Sequence, residues 1–390
     1  MNRGVWAALA AILCSITQIS PLRAETGVTD DTIRIGVFAP LSGSALLFGK
    51  GLIGVDAYYR SVNESGGING RKIELVREDD GCDPAKGIAA IKKLIGDDNV
   101  FMIHGGMCSN VVMAGLPEIT RAGIPYMDIA AAASQISNPI RPNVFQPLPN
   151  TGVVGRTMID FAMTKPNARK IAIVSHSDEW GKSNHDPAVA RLKEKYNLEP
   201  VADLALERGS TDATPQILKL RNAGADVIVL LLYPAEAAIF VRDAMKYGVK
   251  TPMLCSQGTS LAEIEERVGT PDAVANVYTF SALAGALDGP EMAPWREMVA
   301  KYFPQQRPEE AVFNGIGGAI AVVDALKLAG RDLTREGFIA ALNKTTALKT
   351  GVLSVPITFT PTEHAGVSSG GMMTLVGGKT VLVASWPVGK

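Results

Sequence analysis

At 390 residues the chain is too long for one compact core and is sized for two lobes. A hydrophobic share of 47% beside 20% charged residues excludes a disordered chain and an integral membrane protein. A formal net charge of −1 gives no electrostatic reason to expect nucleic acid or an anionic membrane surface as a partner.

Residues 1–24 read as a secretion signal. Arg3 is the positive n-region, Val5 to Ile16 the apolar h-region, and Leu22-Arg23-Ala24 a small-residue cleavage site. A membrane anchor needs about 20 apolar residues; this run is shorter and is broken by Cys14, Ser15, Thr17 and Gln18. A lipoprotein reading through Cys14 is the alternative, with Leu13 a poor residue before it. Cleavage after Ala24 removes Arg3 and Arg23 and takes the formal charge from −1 to about −3. No later segment is read as long and apolar enough to span a bilayer.

Ile33 to Phe38 is a short apolar strand followed by the turn Pro40 to Ser44. Gly51 to Ser65 is a helix with Ile53, Ala57, Tyr58 and Val62 on one stripe, stopped by Gly66-Gly67-Ile68-Asn69-Gly70. Lys72 to Arg77 is a strand, Pro84 to Ile95 a helix with Pro84 in its first turn, and Val100 to Ile103 a strand. Asn110 to Arg121 is a helix and Ile124 to Met127 a strand. This alternation, with continuous apolar strands, predicts a parallel sheet covered on both faces.

After Pro139, Pro142, Pro147 and Pro149 the rhythm restarts. Helices are expected at 151–163, 181–196, 213–222 and 235–247, and strands at 170–175, 200–206, 227–232 and 253–255. Helices at 292–303, 312–328 and 334–342 have few strands near them, so they must pack on a sheet already built. Strands are expected again at 357–359, 372–376 and 381–385. The chain therefore returns to the first lobe before ending on the second, which predicts several crossovers and a cleft between lobes.

Export leaves Cys82, Cys108 and Cys255. A Cys82–Cys108 bridge would close a loop of roughly 25 residues and contribute about 3 kcal/mol, with Cys255 left as a free thiol. Metal binding has no support, because CxxC spacing is missing and His104 alone lies close. Gly49-Lys50-Gly51-Leu52-Ile53-Gly54 matches the dinucleotide fingerprint in letters but sits about ten residues beyond its strand, where it cannot present a pyrophosphate to a helix end. No Walker or H-E-x-x-H motif occurs, and the four histidines (104, 176, 185, 364) form no spaced constellation, so no enzyme and no cofactor is expected.

The stretch Asp79 to Asn110 is the organising one. Its cysteines bracket a helix and a strand, and the turn His104 to Asn110 lies after a strand's carboxyl end, where open α/β sheets bind ligands. Ser109 at a helix start can cap that helix, or can present a hydroxyl, backbone N–H groups and a positive dipole end to a carboxylate. Trp180 in a loop, Tyr233 at a strand end and Gln257 after Cys255 would all project to the carboxyl edge of the second sheet.

Together, Pro40-Leu41-Ser42-Gly43, Asn63 to Lys72 with its Gly66-Gly67-Ile68-Asn69-Gly70 core, Asp79 to Pro84, Cys108-Ser109, and Ile171 to Val174 with Trp180-Gly181 resemble the periplasmic leucine, isoleucine and valine-binding proteins of ABC importers. The resemblance implies a type I periplasmic-binding fold: two doubly wound α/β lobes, here 27–147 plus 281–352 and 148–280 plus 353–390, joined by three hinge crossings. It implies an exported monomer that encloses a small ligand and delivers it to a permease with its ATPase. It implies a ligand carboxylate held by Ser109 and by the loop at Ala130 and Ala132, and a side-chain pocket lined by Phe48, Trp180 and Tyr233.

Two positions depart from the family pattern. Ala132 stands where a threonine hydroxyl is usual, with Ser134 a possible replacement, and Gln257 stands where a glutamate pairs with the ligand ammonium. Either Asp178 or Glu179 takes that glutamate's place, or the ligand has no α-amino group. A hydrophobic amino acid is the family default and an amine-free aromatic or aliphatic carboxylate the variant; a sensor with the same fold is a further alternative.

Overall fold

The computed structural model describes residues 25–387, apart from the side chains of residues 44, 45, 47, 48 and 384–387. The expected signal segment 1–24 lies outside the described residues. The first sheet contains β1 (Thr32–Ala39), β2 (Lys72–Asp79), β3 (Met102–Gly105), β4 (Tyr126–Asp128) and β5 (Val144–Phe145), all parallel, in the order β2-β1-β3-β4-β5. The second contains β6 (Ile171–Ser175), β7 (Ala202–Ala205), β8 (Val227–Leu231), β9 (Met253–Cys255), β10 (Val277–Ser281), β11 (Ser369–Val376) and β12 (Lys379–Pro387), in the order β12-β11-β10-β9-β8-β6-β7. Only the β10–β11–β12 end is antiparallel. Strands such as β8, buried along their whole length, read as unbroken apolar runs because helices cover both faces.

In the first unit, α1 (Gly51–Glu64), α2 (Pro84–Gly96) and α3 (Ser109–Ala122) follow successive strands. In the second, α4 (Thr151–Ala162), α5 (Glu179–Tyr196), α6 (Thr214–Ala223), α7 (Pro234–Lys246) and α8 (Leu261–Val268) do the same. The helices α9 (Ala293–Tyr302), α10 (Glu310–Ala329) and α11 (Arg335–Leu342) return to the first unit, where Val312, Phe313 and Ile316 share one core with Ile35, Val55 and Phe101. Helix α10 lies hard against α1. A Cβ on Gly54 would run into the carbonyl oxygen of Val312, and one on Gly315 into that of Gly51. The two glycines are the reason these backbones can touch.

Four expectations need correction. Helix α10 is long and apolar enough by length and composition to cross a membrane, contrary to the reading that no later segment is; most of it is buried in the first core, and that packing accounts for its apolarity. Helix α8 and strand β10 exist where the sequence suggested neither, because their charged and mixed patterns (Glu263, Glu265, Glu266, Arg267; Tyr278, Thr279) hid their periodicity. Residues 357–359 form no strand; Ile357 makes a single bridge to Leu348. Ile357, Phe359 and Val367 belong to the first core, so the third crossing falls between Val367 and Ser369 rather than at 353. The other two crossings run from Phe145 to Thr151 and from Ser281 to Leu283.

Candidate functional site

Strand order decides what can meet. In the first sheet β1, β3 and β4 are neighbours, so the turns leaving them, at Pro40–Gly43, Gly105–Ser109 and Ile129–Ala133, lie side by side at one carboxyl edge. In the second sheet β9, β8 and β6 are neighbours, so the segments holding Gln257, Tyr233 and Trp180 lie side by side at the other, roughly 5 Å per strand apart. The two edges meet where Gln135 Nε2 donates to Glu179 Oε1 at 3.2 Å, and α3 packs against α5 beside that contact.

The first edge is built as a cradle. Cys82 and Cys108 are disulfide-bonded with Cα atoms 5.7 Å apart, tying the turn after β2 to the turn after β3. Asp79 orders the adjoining loop by accepting from Leu41 N at 2.8 Å, Gly81 N at 2.9 Å and the Ser42 hydroxyl. Asp83 caps α2 through Ala85 N and Lys86 N, with Pro84 in the first turn. Gly106 is needed for its left-handed φ of 94° and because a Cβ there would come within 2.5 Å of Tyr126 Oη.

Ser109 begins α3 and is buried. Its Oγ accepts from Ala132 N at 3.2 Å and Ala133 N at 3.1 Å, which leaves its hydroxyl hydrogen to donate. Ser109 does not cap its own helix; Cys108 holds the cap position without a side-chain bond. The first amides of α3 therefore present the positive end of the helix at this turn. Ala130 N is turned inward to Gly106 O at 3.2 Å, so in this structure the amides of both Ala130 and Ala132 are bonded within the protein. Ser134 presents its backbone N–H to Thr151 Oγ1 at 3.2 Å and its hydroxyl to Gln135.

Sequence reading missed the residues behind this cradle. Gln146 Nε2 donates to Ala131 O and Ala133 O, and its Oε1 accepts from Ser137 Oγ at 2.8 Å. Tyr126 Oη donates to Gly105 O at 2.8 Å and lies 3.2 Å from Asp128 Oδ1. Burial pushes the Asp128 carboxyl well above its usual range. Burial likewise lowers His104 to about 3, leaving a neutral ring whose Nδ1 pairs with Tyr59 Oη at 2.7 Å. Gln146 and Tyr126 sit at crossing and strand positions whose main-chain partners, Ala131, Ala133 and Gly105, lie 13 to 21 residues away, so no local signal marked them.

Asp80, fully buried beside the disulfide, accepts from Cys82 N at 2.7 Å, and burial raises its carboxyl to about 6. The folded pKa exceeds the unfolded one, so the native state holds this proton more tightly. That contribution is whole below pH 3.8 and is lost as pH rises through about 6. Asp80→Asn, which keeps an acceptor for Cys82 N, should remove up to about 3 kcal/mol of that pH dependence. Urea denaturation at pH 4 and pH 7.5 checks it; equal pH dependence in both proteins would refute the assignment.

The second edge is an aromatic wall. Trp180 and Tyr233 stack at 4.4 Å between ring centroids, with His176 5.0 Å behind Tyr233. His176 Nδ1 pairs with Leu206 O at 2.6 Å and its Nε2 accepts from Tyr233 N at 3.0 Å, which pins the start of α7 to the end of β6. Trp180 is buried and lies in the first turn of α5, not in a loop as expected; Asp178 caps that helix through Gly181 N at 2.8 Å. The helix starts two residues earlier than the apolar pattern because the cap sets its origin. Gln257 follows β9, and its Oε1 and Nε2, like Thr259 Oγ1, are buried atoms without a hydrogen-bond partner. Phe48 falls in a 3-10 segment, Gly43–Lys50, and its side chain lies outside the described residues. Cys255, the free cysteine among the described residues, is buried and raised to about 12 by that burial, so it is an inert thiol.

A cleft between two α/β units, with a serine and a helix start on one side and an aromatic wall on the other, is arranged to enclose a small ligand. Known proteins agree. The periplasmic binding protein family model matches residues 32–379. An amino acid binding protein of Pseudomonas aeruginosa is 27% identical over 252 residues, covering 64% of this chain and 67% of its own. Leu/Ile/Val-binding protein homolog 3 of Brucella melitensis is 24% identical over 294 residues, covering 75% and 78%. The solved structure of a fatty acid ABC transporter substrate-binding protein from Thermomonospora curvata superposes with a TM-score of 0.80 at 25% identity, covering 94% and 95%. The chain belongs to the periplasmic binding protein family.

Proposed function

We propose that the protein captures a small carboxylate with an apolar body between the two edges and hands it to the permease of an ABC importer and its ATPase, acting as an exported monomer. The observation that carries this is the opposition of two unlike edges. One offers the Ser109 hydroxyl and the start of α3, which suit an anion. The other offers Trp180 and Tyr233, which suit an apolar body. The Gln135–Glu179 bond shows where the edges touch when drawn together.

Relatives named for amino acids and a neighbour named for fatty acid fit this chemistry from two directions, since both ligand classes carry a carboxylate. Ala130 and Ala132 then act by shape, their loop locked to Gly106 and Ser109, and Phe48 would close the side-chain pocket. We take 27–147 with 281–367 as one lobe and 148–280 with 368–390 as the other.

The test is titration calorimetry of the mature chain with a panel of amino acids and simple carboxylic acids. Carboxylates should bind and their methyl esters should not. Trp180→Ala should weaken binding about tenfold, the value of one lost aromatic contact. Esters binding as well as acids would refute the reading.

A further inference from the structure

A cavity of about 600 Å³ lies over one face of the second sheet, apart from the two facing edges. Thr279 and Ser281 on β10 point to that face, and Met373 stands opposite Thr279 on β11. Thr380 pairs with Leu375, two residues beyond Met373, and faces the same way. Strand β11 runs antiparallel to β10, so the cavity descends toward the amino end of β10. It therefore runs away from the carboxyl edge that carries Trp180, Tyr233 and Gln257. Leu261 of α8 lines it from the second lobe; Leu283, Leu287 and Glu310 line it from the first. Both lobes build it.

Glu310, the first residue of α10, is buried, and its Oε1 accepts from Ser281 Oγ at 3.1 Å. That hydroxyl oxygen accepts in turn from Leu283 N at 3.2 Å, so the hinge backbone fixes the pair. Among the described residues no cation pairs with Glu310. Burial, with Glu263 nearby on α8, raises its carboxyl to about 7.

The other charged groups around it are committed or point outward. Glu263 is paired with Arg267, and Glu309 with Lys50. Arg296 Nη1 donates to Leu287 O at 2.7 Å and to Gly289 O at 2.8 Å. Arg307 is exposed and lies 3.8 Å from Glu266, while Asp288, also exposed, adds a second acid to the lining. A buried carboxylate with one hydroxyl donor is costly, and an entering cation offsets that cost. A primary ammonium brings three N–H donors and a unit charge. Leu261, Leu283, Leu287 and Met373 suit an apolar body beside it. A carboxylate, the class read for the cleft, is repelled by an ionised Glu310.

We propose that this cavity is a second small-molecule site, for a primary amine with a short apolar body, whose ammonium is held by Glu310. It is independent of the cleft, because an amine without a carboxylate has nothing to offer Ser109. The test is calorimetry of the mature chain with isopentylamine, against isopentanol as its uncharged counterpart.

The amine should bind saturably at pH 8, at least about tenfold tighter than the alcohol. Because Glu310 must be ionised to pair with it, affinity should fall about tenfold between pH 8 and pH 6. Glu310→Gln, which keeps an acceptor for Ser281, should bind at least about tenfold more weakly and lose that pH dependence. Ala286→Trp should block binding by filling the cavity from a half-buried loop position, with Glu310 left in place. No saturable binding to the unaltered chain would overturn the proposal, as would equal binding of the alcohol. Undiminished binding by either variant would place the amine elsewhere and overturn it too. If Glu310→Gln does not fold, the alcohol, the pH profile and Ala286→Trp still decide. None of these outcomes bears on carboxylate capture in the cleft.

Discussion

Replacing both cysteines by serine, or reducing the bridge, should lower unfolding free energy by about 3 to 4 kcal/mol. Cys82 and Cys108 are 26 residues apart, and closing a loop of that size removes this much conformational freedom from the unfolded chain. The cost should not stop at stability. The bridge joins the turn after β2 to the turn after β3, and the second of these carries Ser109 at the start of α3. Without it, the Gly105–Ser109 turn keeps the Tyr126 and Ala130 bonds but loses its tie to the Asp79–Asp83 loop.

Ligand affinity should therefore fall in the double-serine protein even at temperatures where it remains fully folded. Thermal denaturation with and without reductant, followed by calorimetry at 15 °C below the lower midpoint, separates the two effects. Full affinity in the reduced, folded protein would show the bridge to be a staple for the fold alone.

How much of this could be read from the chain depends on how local each cause is. The Asp79–Asn110 stretch was legible because its signals are adjacent: an Asp-Pro helix start, a glycine turn, a cysteine at each end. Helices α4 through α7 were legible for the same reason, each bounded by a strand with an unbroken apolar run. Helix α8 was not, since six of its eight residues are Ala, Glu, Arg or Val with four of them charged, and its packing stripe is Leu261 and Ile264 alone. The segment 353–367 was misplaced because it has no ladder to mark it; Ile357 and Phe359 look like a strand and are instead plugs in the first core.

At the site, Ser109, Trp180, Tyr233 and Gln257 could be placed because each follows a recognisable strand. Gln146, Tyr126 and Asp128 could not. Their partners lie across the sheet edge, at Ala131, Ala133 and Gly105, and pairing over such distances leaves no periodic trace. The first edge thus owes part of its geometry to residues that stand behind it.

Ser109→Ala should cost more than a ligand contact. From sequence the substitution looks like the loss of one hydroxyl from a binding site, harmless to the fold. In the structure that oxygen is an acceptor for two amides, Ala132 N and Ala133 N, and Ala133 is fully buried. Removing it leaves those donors unpaired, at about 1 to 3 kcal/mol for a buried one. The Ala130–Ala133 loop would still be held by Gln146 and Thr151, so the protein should fold with a lower melting temperature rather than fail to fold.

Affinity should drop by about a hundredfold, because the ligand loses both the hydroxyl donor and a loop already set in place. Ser109→Thr, which keeps Oγ, should recover most of the stability and part of the affinity. Two outcomes distinguish the roles. If Ala lowers stability but binds normally, Ser109 is a loop anchor and the carboxylate is held elsewhere along the start of α3. If it binds poorly at unchanged stability, the two bonds to Ala132 and Ala133 contribute nothing to the folded state, and the hydroxyl is there for the ligand alone.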